Sequence, residues 1–379
     1  MARSIVAAVN PGVLRWARES SGFSLEKATQ GTGIRPKRLE AAEEGEAPLT
    51  LRQAETLARK YGRRVSILFR ETIPDEESAE AAFRRLPDAP SLPWPPELHI
   101  LLRRAAVRQD AVRYLLGELG REPAWTNAPR LTESEPNEAA TWARKVLGAD
   151  LAQQKSLRER AGFRSLRYWR DLVERMGILV MQDGSMAVEE MRGLALPDAE
   201  VPVVLLNSGD HPCARAFTLL HEFGHLLLSA SSVAPADHEI WANAFAAETI
   251  MPAGSFAKDF RTATSAVASL LEVIDETALR YGVTPAAAAV RSRTLGLVDR
   301  KSFDLVKAEI EERHGGKRPS EGTPSYYTLT ASRLGRAFPL LVLEALGRGV
   351  VTTSAAASML GVKAPNMRRF EEELVGERD

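Results

Sequence analysis

The chain of 379 residues has a single cysteine, Cys213, so no internal disulfide can brace it and its stability rests on packed cores. It has no net charge either: 50 Lys and Arg face 50 Asp and Glu, so a polyanion would have to be met by a local patch rather than by a global field. No apolar run approaches the ~20 residues that cross a bilayer. The N-terminal SIVAAV is too short, and too soon followed by Asn10-Pro11-Gly12, to be the apolar core of a secretory leader. These absences lead us to expect a cytoplasmic protein with no membrane partner, long enough for two or three modules.

Charge and punctuation divide the chain. Residues 1–70 hold 13 Lys and Arg against 7 Glu, a mild basic excess. Within 10–70 four short helical patterns follow one another, each closed by glycine: NPGVLRWARESSG, SLEKATQGTG, RPKRLEAAEEG and TLRQAETLARKYG. We place a first all-α unit at 1–72. A proline-crowded linker covers 73–96. A long helical lead-in starts at 97, with helix again over about 134–176, broken near Gly148 and Gly162. Three short apolar runs, GILVMQD, MRGLALPD and VPVVLLN, predict a small sheet over 177–207. The main unit ends near 315, after a helix over SFDLVKAEIEERHGG, and a helical unit covers 316–379. Its GVVTTSAAASMLGVKAPNMRRFEEEL has a helix, turn, helix cadence, which we read first as a packing pair that buttresses the main unit.

The segment 217-FTLLHEFGHLLLSA-230 follows the predicted sheet. Phe217, Leu219, Leu220, Phe223, Leu226, Leu227 and Leu228 recur at helical spacing and mark a buried helix. That helix also carries His221, Glu222 and His225. Residues four apart lie one above the other, so the two imidazoles leave the same face at a spacing suited to one small cation. Glu222 points beside that cation, where a general base must stand. Three ionisable groups in a core helix would be costly without a cation or partners to answer them.

Two imidazoles leave a zinc site incomplete. The spacing for a third histidine finds Ser231, so a glutamate-type site is preferred, and the next helix, around HEIWANAFAAE, offers Asp237, His238, Glu239 and Glu248. Glu239 and Asn243 are four apart on one face, which lets Glu239 bind metal while Asn243 orients it. Cys213, eight residues before His221, is two turns away and reads as a buried structural thiol. His211 and Arg215 are candidates for stabilising developing negative charge.

With RAFTLLHEFGHLLL followed by EIWANAFAAETIMP, the chain resembles the ImmA/IrrE family of zinc metallopeptidases over about 160–300. The resemblance implies Zn2+ held by His221, His225 and Glu239, with Glu222 as general base. It also implies a substrate that is a cytoplasmic protein, a helix-turn-helix repressor above all, cleaved in a regulatory or stress response. The N-terminal unit is similar to XRE-type helix-turn-helix domains. In that likeness SLEKATQGTG is the first helix of the motif, IRPKRLEAAEEGE is the recognition helix, and Arg35, Lys37 and Arg38 face DNA. Glu40, Glu43 and Glu44 on the same helix weigh against phosphate contact. The expected fold is thus mainly α with a small β-sheet, a zincin-like HExxH domain behind an all-α helix-turn-helix domain. The competing expectation is a DNA-binding regulator or antitoxin-like module with a structural or sensory zinc site.

Overall fold

A computed structural model describes residues 5–75, 94–132, 134–157, 161–230, 237–267, 269–314 and 326–376. Most of the predicted linker, Ser231 and the glycine-rich break after His314 lie outside the described residues. Over the described residues the chain is mainly helical with two small sheets, and it divides into two compact units, Met1–Val107 and Arg108–Asp379.

In the first unit the four predicted helices are α1 (Pro11–Glu19), α2 (Leu25–Thr29), α3 (Pro36–Glu43) and α4 (Leu51–Lys60). Local chemistry sets their starts: Asn10 accepts from the Gly12 and Val13 amides, Ser24 from Lys27, and Thr50 and Gln53 close a reciprocal capping box. Leu14, Ala17, Ala28, Leu39, Leu57 and Tyr61 form the shared core. Two features were not legible beforehand. The two-residue strand β1 (Val6–Ala7) pairs antiparallel with β2 (Leu49–Thr50), joining the start of the chain to the start of α4. Glu43 is buried and takes a two-pronged contact from Arg18, 2.8 Å to each carboxylate oxygen. The sequence pattern sets Glu43 with Glu40 and Glu44 against phosphate; Glu43 belongs to the core instead, and of these three Glu40 and Glu44 stay exposed.

A further helix, α5 (Pro96–Glu118), matches the predicted lead-in. In the second unit α6 (Pro136–Leu147) ends at Gly148, whose left-handed φ of 65° lets its amide return to the last-turn carbonyls. After α7 (Leu151–Ser156) comes α8 (Ala161–Glu174), so the helical stretch is interrupted close to Gly162 as expected, with Gly162 itself in the first turn of α8. The sheet is as expected in place and size: β3 (Leu179–Asp183), β4 (Gly193–Leu196) and β5 (Val203–Asn207), in the order β3-β5-β4. The central strand runs parallel to β3 and antiparallel to β4, and β5 is buried along its whole length. Two more helices carry the candidate ligands, α9 (Pro212–Ser229) and α10 (His238–Ile250), and the unit continues through α11 (Ala253–Thr264), α12 (Leu270–Tyr281), α13 (Pro285–Thr294) and α14 (Arg300–His314).

The last four helices are α15 (Tyr326–Leu334), α16 (Ala337–Gly347), α17 (Thr353–Leu360) and α18 (Met367–Gly376). They are tied to the sheet by buried polar groups. Glu174 of α8 accepts from the Arg336 and Ala337 amides at 3.1 and 2.9 Å and so caps α16, while the Gln182 side chain donates to the Ser332 carbonyl at 2.9 Å. Gly335 makes this close approach, since a Cβ there would stand 2.2 Å from the Glu174 carboxylate. No described helix is long and apolar enough to cross a membrane.

Candidate metal centre

Helix α9 begins on His211, whose Nδ1 accepts from the Cys213 amide at 3.2 Å, with Pro212 at the first helical position, where its missing N–H is no loss. Its apolar stripe packs between α8, α10 and the β4–β5 face, and Leu219, Leu220, Phe223 and Leu226 are fully buried. The imidazoles of His221 and His225 leave the helix toward α10 and are partly buried.

Helix α10 starts on the far side of residues 231–236. Asp237 caps it by accepting from the Ile240 amide at 2.9 Å, which puts Glu239 in the first turn. On α10 Trp241 and Phe245 stack with ring centroids 5.1 Å apart, and Phe245 meets Phe223 of α9 with centroids 6.1 Å apart. Gly224 permits this: a Cβ there would meet the Phe245 ring at 3.0 Å. The fourth position of HEFGH is thus an approach point for the second helix, something the motif by itself does not reveal.

The packing brings three ligand atoms together from two helices. His221 Nε2 lies 3.1 Å from His225 Nε2, and Glu239 places one carboxylate oxygen 3.1 Å from His225 Nε2 and the other 3.4 Å from His221 Nε2. Ligands of a tetrahedral ion bound at about 2.0–2.1 Å stand roughly 3.3 Å from one another. The cluster is the one group of His, Cys, Asp and Glu among the described residues with this convergence, and its two imidazoles and one carboxylate are a donor set that suits Zn2+.

Glu222, only 8% exposed, turns off this triangle toward β4. Asn243 lies exposed one turn after Glu239, and among the described residues it makes no hydrogen bond to that carboxylate. Glu248 does other work: it pairs with buried Arg291 and accepts from the Ala253 amide at 3.0 Å, fixing the turn into α11. His211 and Arg215 stand six or more residues up the helix from His221. Arg215 is buried and donates to Gln182, and burial brings its pKa down to about 10. Both serve the N-terminal end of α9 rather than the ligand cluster. Cys213 is a buried free thiol pushed up to about 11 by desolvation, which leaves it unreactive.

In the first unit Arg35 and Lys37 are exposed, while Arg38 is half-buried and donates to the Pro48 carbonyl.

No curated protein and no solved structure matches the chain. Residues 173–293 match the family model Peptidase_M78, described as an IrrE N-terminal-like domain, and this span runs from the last turn of α8 through α13, enclosing both helices that converge on the ligand triangle.

Proposed function

We propose that this protein is a zinc-dependent endopeptidase that cleaves a specific cytoplasmic protein. The observation that carries the reading is the convergence of His221, His225 and Glu239 at tetrahedral spacing, with Glu222 next to His221 on the same helix, inside a segment similar to a peptidase family. Zinc, when bound, supplies Lewis acidity to a water and to the scissile carbonyl. Glu222 is the base that takes the proton of the attacking water and returns it to the leaving nitrogen. Its neighbours on the same helix hold the metal, so base and metal move as one rigid body.

The sheet offers a way to present the substrate. Because the Asn207 amide donates to the Arg192 carbonyl and the β4–β5 register is antiparallel, Gly193 and Ala195 turn their own N–H and C=O away from β5. An extended peptide laid along β4 pairs with these groups and passes the Glu222 side of the cluster. A helix-turn-helix repressor is the substrate class we favour, by analogy with the resemblance alone.

Co-expression with repressor-like proteins tests the reading. Wild-type protein should deplete the full-length partner while Glu222→Gln, which keeps every metal ligand, should not; equal depletion by both would rule out Glu222 as the base.

A DNA-binding role of the first unit is favoured by one further observation. With Glu43 withdrawn into the core by Arg18, the exposed start of α3 presents Arg35 and Lys37, with Glu40 and Glu44 as its remaining acids. Duplex binding by the full chain should weaken steeply with salt and fall further in Arg35→Ala/Lys37→Ala. A flat salt response would point to a protein partner instead.

A further inference from the structure

We propose that Gly193 is a positioning residue for Glu222: the side chain it lacks leaves the space in which the Glu222 carboxylate is held. The inference rests on reading Glu222 as the base.

Gly193 opens β4, and its backbone is not left-handed, so conformational freedom does not explain the glycine there. Space does. A Cβ at this position would stand 2.4 Å from Thr218 Cγ2, 2.8 Å from Glu222 Oε1 and 3.0 Å from Glu222 Cγ. Non-bonded carbon and oxygen atoms do not approach so closely, so one neighbour would have to move. The strand cannot give way cheaply, because Leu194, Ala195 and Leu196 continue its register with β5. The helix backbone cannot either, because Leu219, Leu220 and Phe223 on both sides of the contact are fully buried. What remains movable is the Thr218 methyl and the Glu222 side chain. Those two residues are one turn apart on α9, so both face the strand that carries Gly193.

A glutamate has three side-chain torsions and would otherwise sample positions well beyond the half ångström or so that a catalytic group tolerates. Walled on one side by the Gly193 backbone and on the other by its own helix, the buried Glu222 side chain is held against β4, one residue along α9 from His221. It lies outside the convergent group of His221, His225 and Glu239 and is buried from solvent. The same glycine directs its N–H and C=O along the open edge of β4. A single residue thus serves both the base and the edge on which a peptide would lie.

The test separates the Glu222 contact from the Thr218 contact. Thr218→Ser removes Cγ2, so in Gly193→Ala/Thr218→Ser the added methyl presses on Glu222 alone. The probe is acetohydroxamate, which gives up a proton on chelating zinc and so reports on a carboxylate placed to receive it, titrated calorimetrically into the zinc-loaded full chain. Thr218→Ser should bind it like wild type. Gly193→Ala/Thr218→Ser should retain zinc yet bind acetohydroxamate roughly 10-fold more weakly, as Glu222→Gln does, which is the size of one lost charge-assisted hydrogen bond. Adding Glu222→Gln to the double variant should weaken binding no further, since both changes act through one group.

Wild-type affinity in Gly193→Ala/Thr218→Ser, or losses that simply add, would overturn the inference while leaving Glu222 as base. Wild-type affinity in Glu222→Gln would overturn the base reading and the inference with it. If the added methyl costs the fold, Glu222→Ala in the same background should restore the thermal midpoint. Failure to restore it would show that Glu222 is not the group displaced.

Discussion

Helix α9 carries a polar cluster at each end. Near its start Arg215 donates to Gln182, Gln182 donates to Ser332, and Glu174 close by caps α16 through two backbone amides. Near its end His221 and His225 meet Glu239. The bonds of the first cluster run to backbone groups and side chains of the protein itself: Gln182 accepts from the Arg215 guanidinium, the Ser332 carbonyl accepts from Gln182, and Glu174 accepts from two amides. In the second, two imidazole nitrogens and a carboxylate turn their acceptor atoms on one point, an arrangement that a cation completes. A buried polar group is therefore diagnostic of function by the direction in which its lone pairs converge. Burial alone does not separate the two: Glu174 is more deeply buried than Glu239.

The difference can be broken at several points. Alanine at His221 or His225 should have the largest effect, taking bound zinc from about one per chain to nearly none by elemental analysis, because two ligands cannot close the site. Retention of stoichiometric zinc in either variant would place the metal elsewhere.

The two glutamates of α10 should then separate cleanly. Glu239→Gln should weaken zinc by more than the roughly 10–100-fold that loss of a supporting outer contact costs, with the fold intact. Glu248→Gln should leave zinc affinity unchanged but lower stability by about 3 kcal/mol in urea unfolding, because Arg291 would be left buried and unpaired. The opposite assignment, with Glu248 governing metal, would invert the comparison.

Glu174 sharpens it from the structural side. Burial raises its pKa to about 7, against the opposing pull of Arg170 and the two capping amides, so the folded state holds a proton that the unfolded chain releases from about pH 4.5 upward. The sign follows: this group's contribution is fully present below the unfolded pKa and is lost as pH rises toward 7. Wild-type stability relative to Glu174→Gln should thus fall by about 3 kcal/mol between pH 4.5 and 7, while zinc affinity at fixed pH stays the same in both proteins. A pH-independent difference would show that Glu174 stays ionised throughout.

Asn243→Ala should have the smallest effect, within about 10-fold on zinc affinity, since its side chain is exposed and makes no bond to Glu239 among the described residues. A loss as large as that of Glu239→Gln would make it a ligand.

Much of this was written locally. Helix starts, the three strands and the pairing of His221 with His225 depend on caps, period and a four-residue spacing, all of which act within a turn or two of chain. Glu239 could be narrowed to one helix but not singled out by residue type, because Asp237, His238 and Glu248 had the same chemistry on offer. Folding separated them: Asp237 went to the helix cap and Glu248 to Arg291, leaving Glu239 facing α9. The inward turn of Glu43 was equally out of reach, since its partner Arg18 lies 25 residues away. So was the need for glycine at 193 and 224, where the reason is an atom of another element, Glu222 in one case and Phe245 in the other. The sequence by itself determined which side chains could ligate, cap or pack, because those properties belong to the residue and its near neighbours. Only the tertiary structure decided which of several equivalent carboxylates meets the imidazoles and which answers a buried arginine, because that choice depends on distances between segments that the chain brings together only when its cores close.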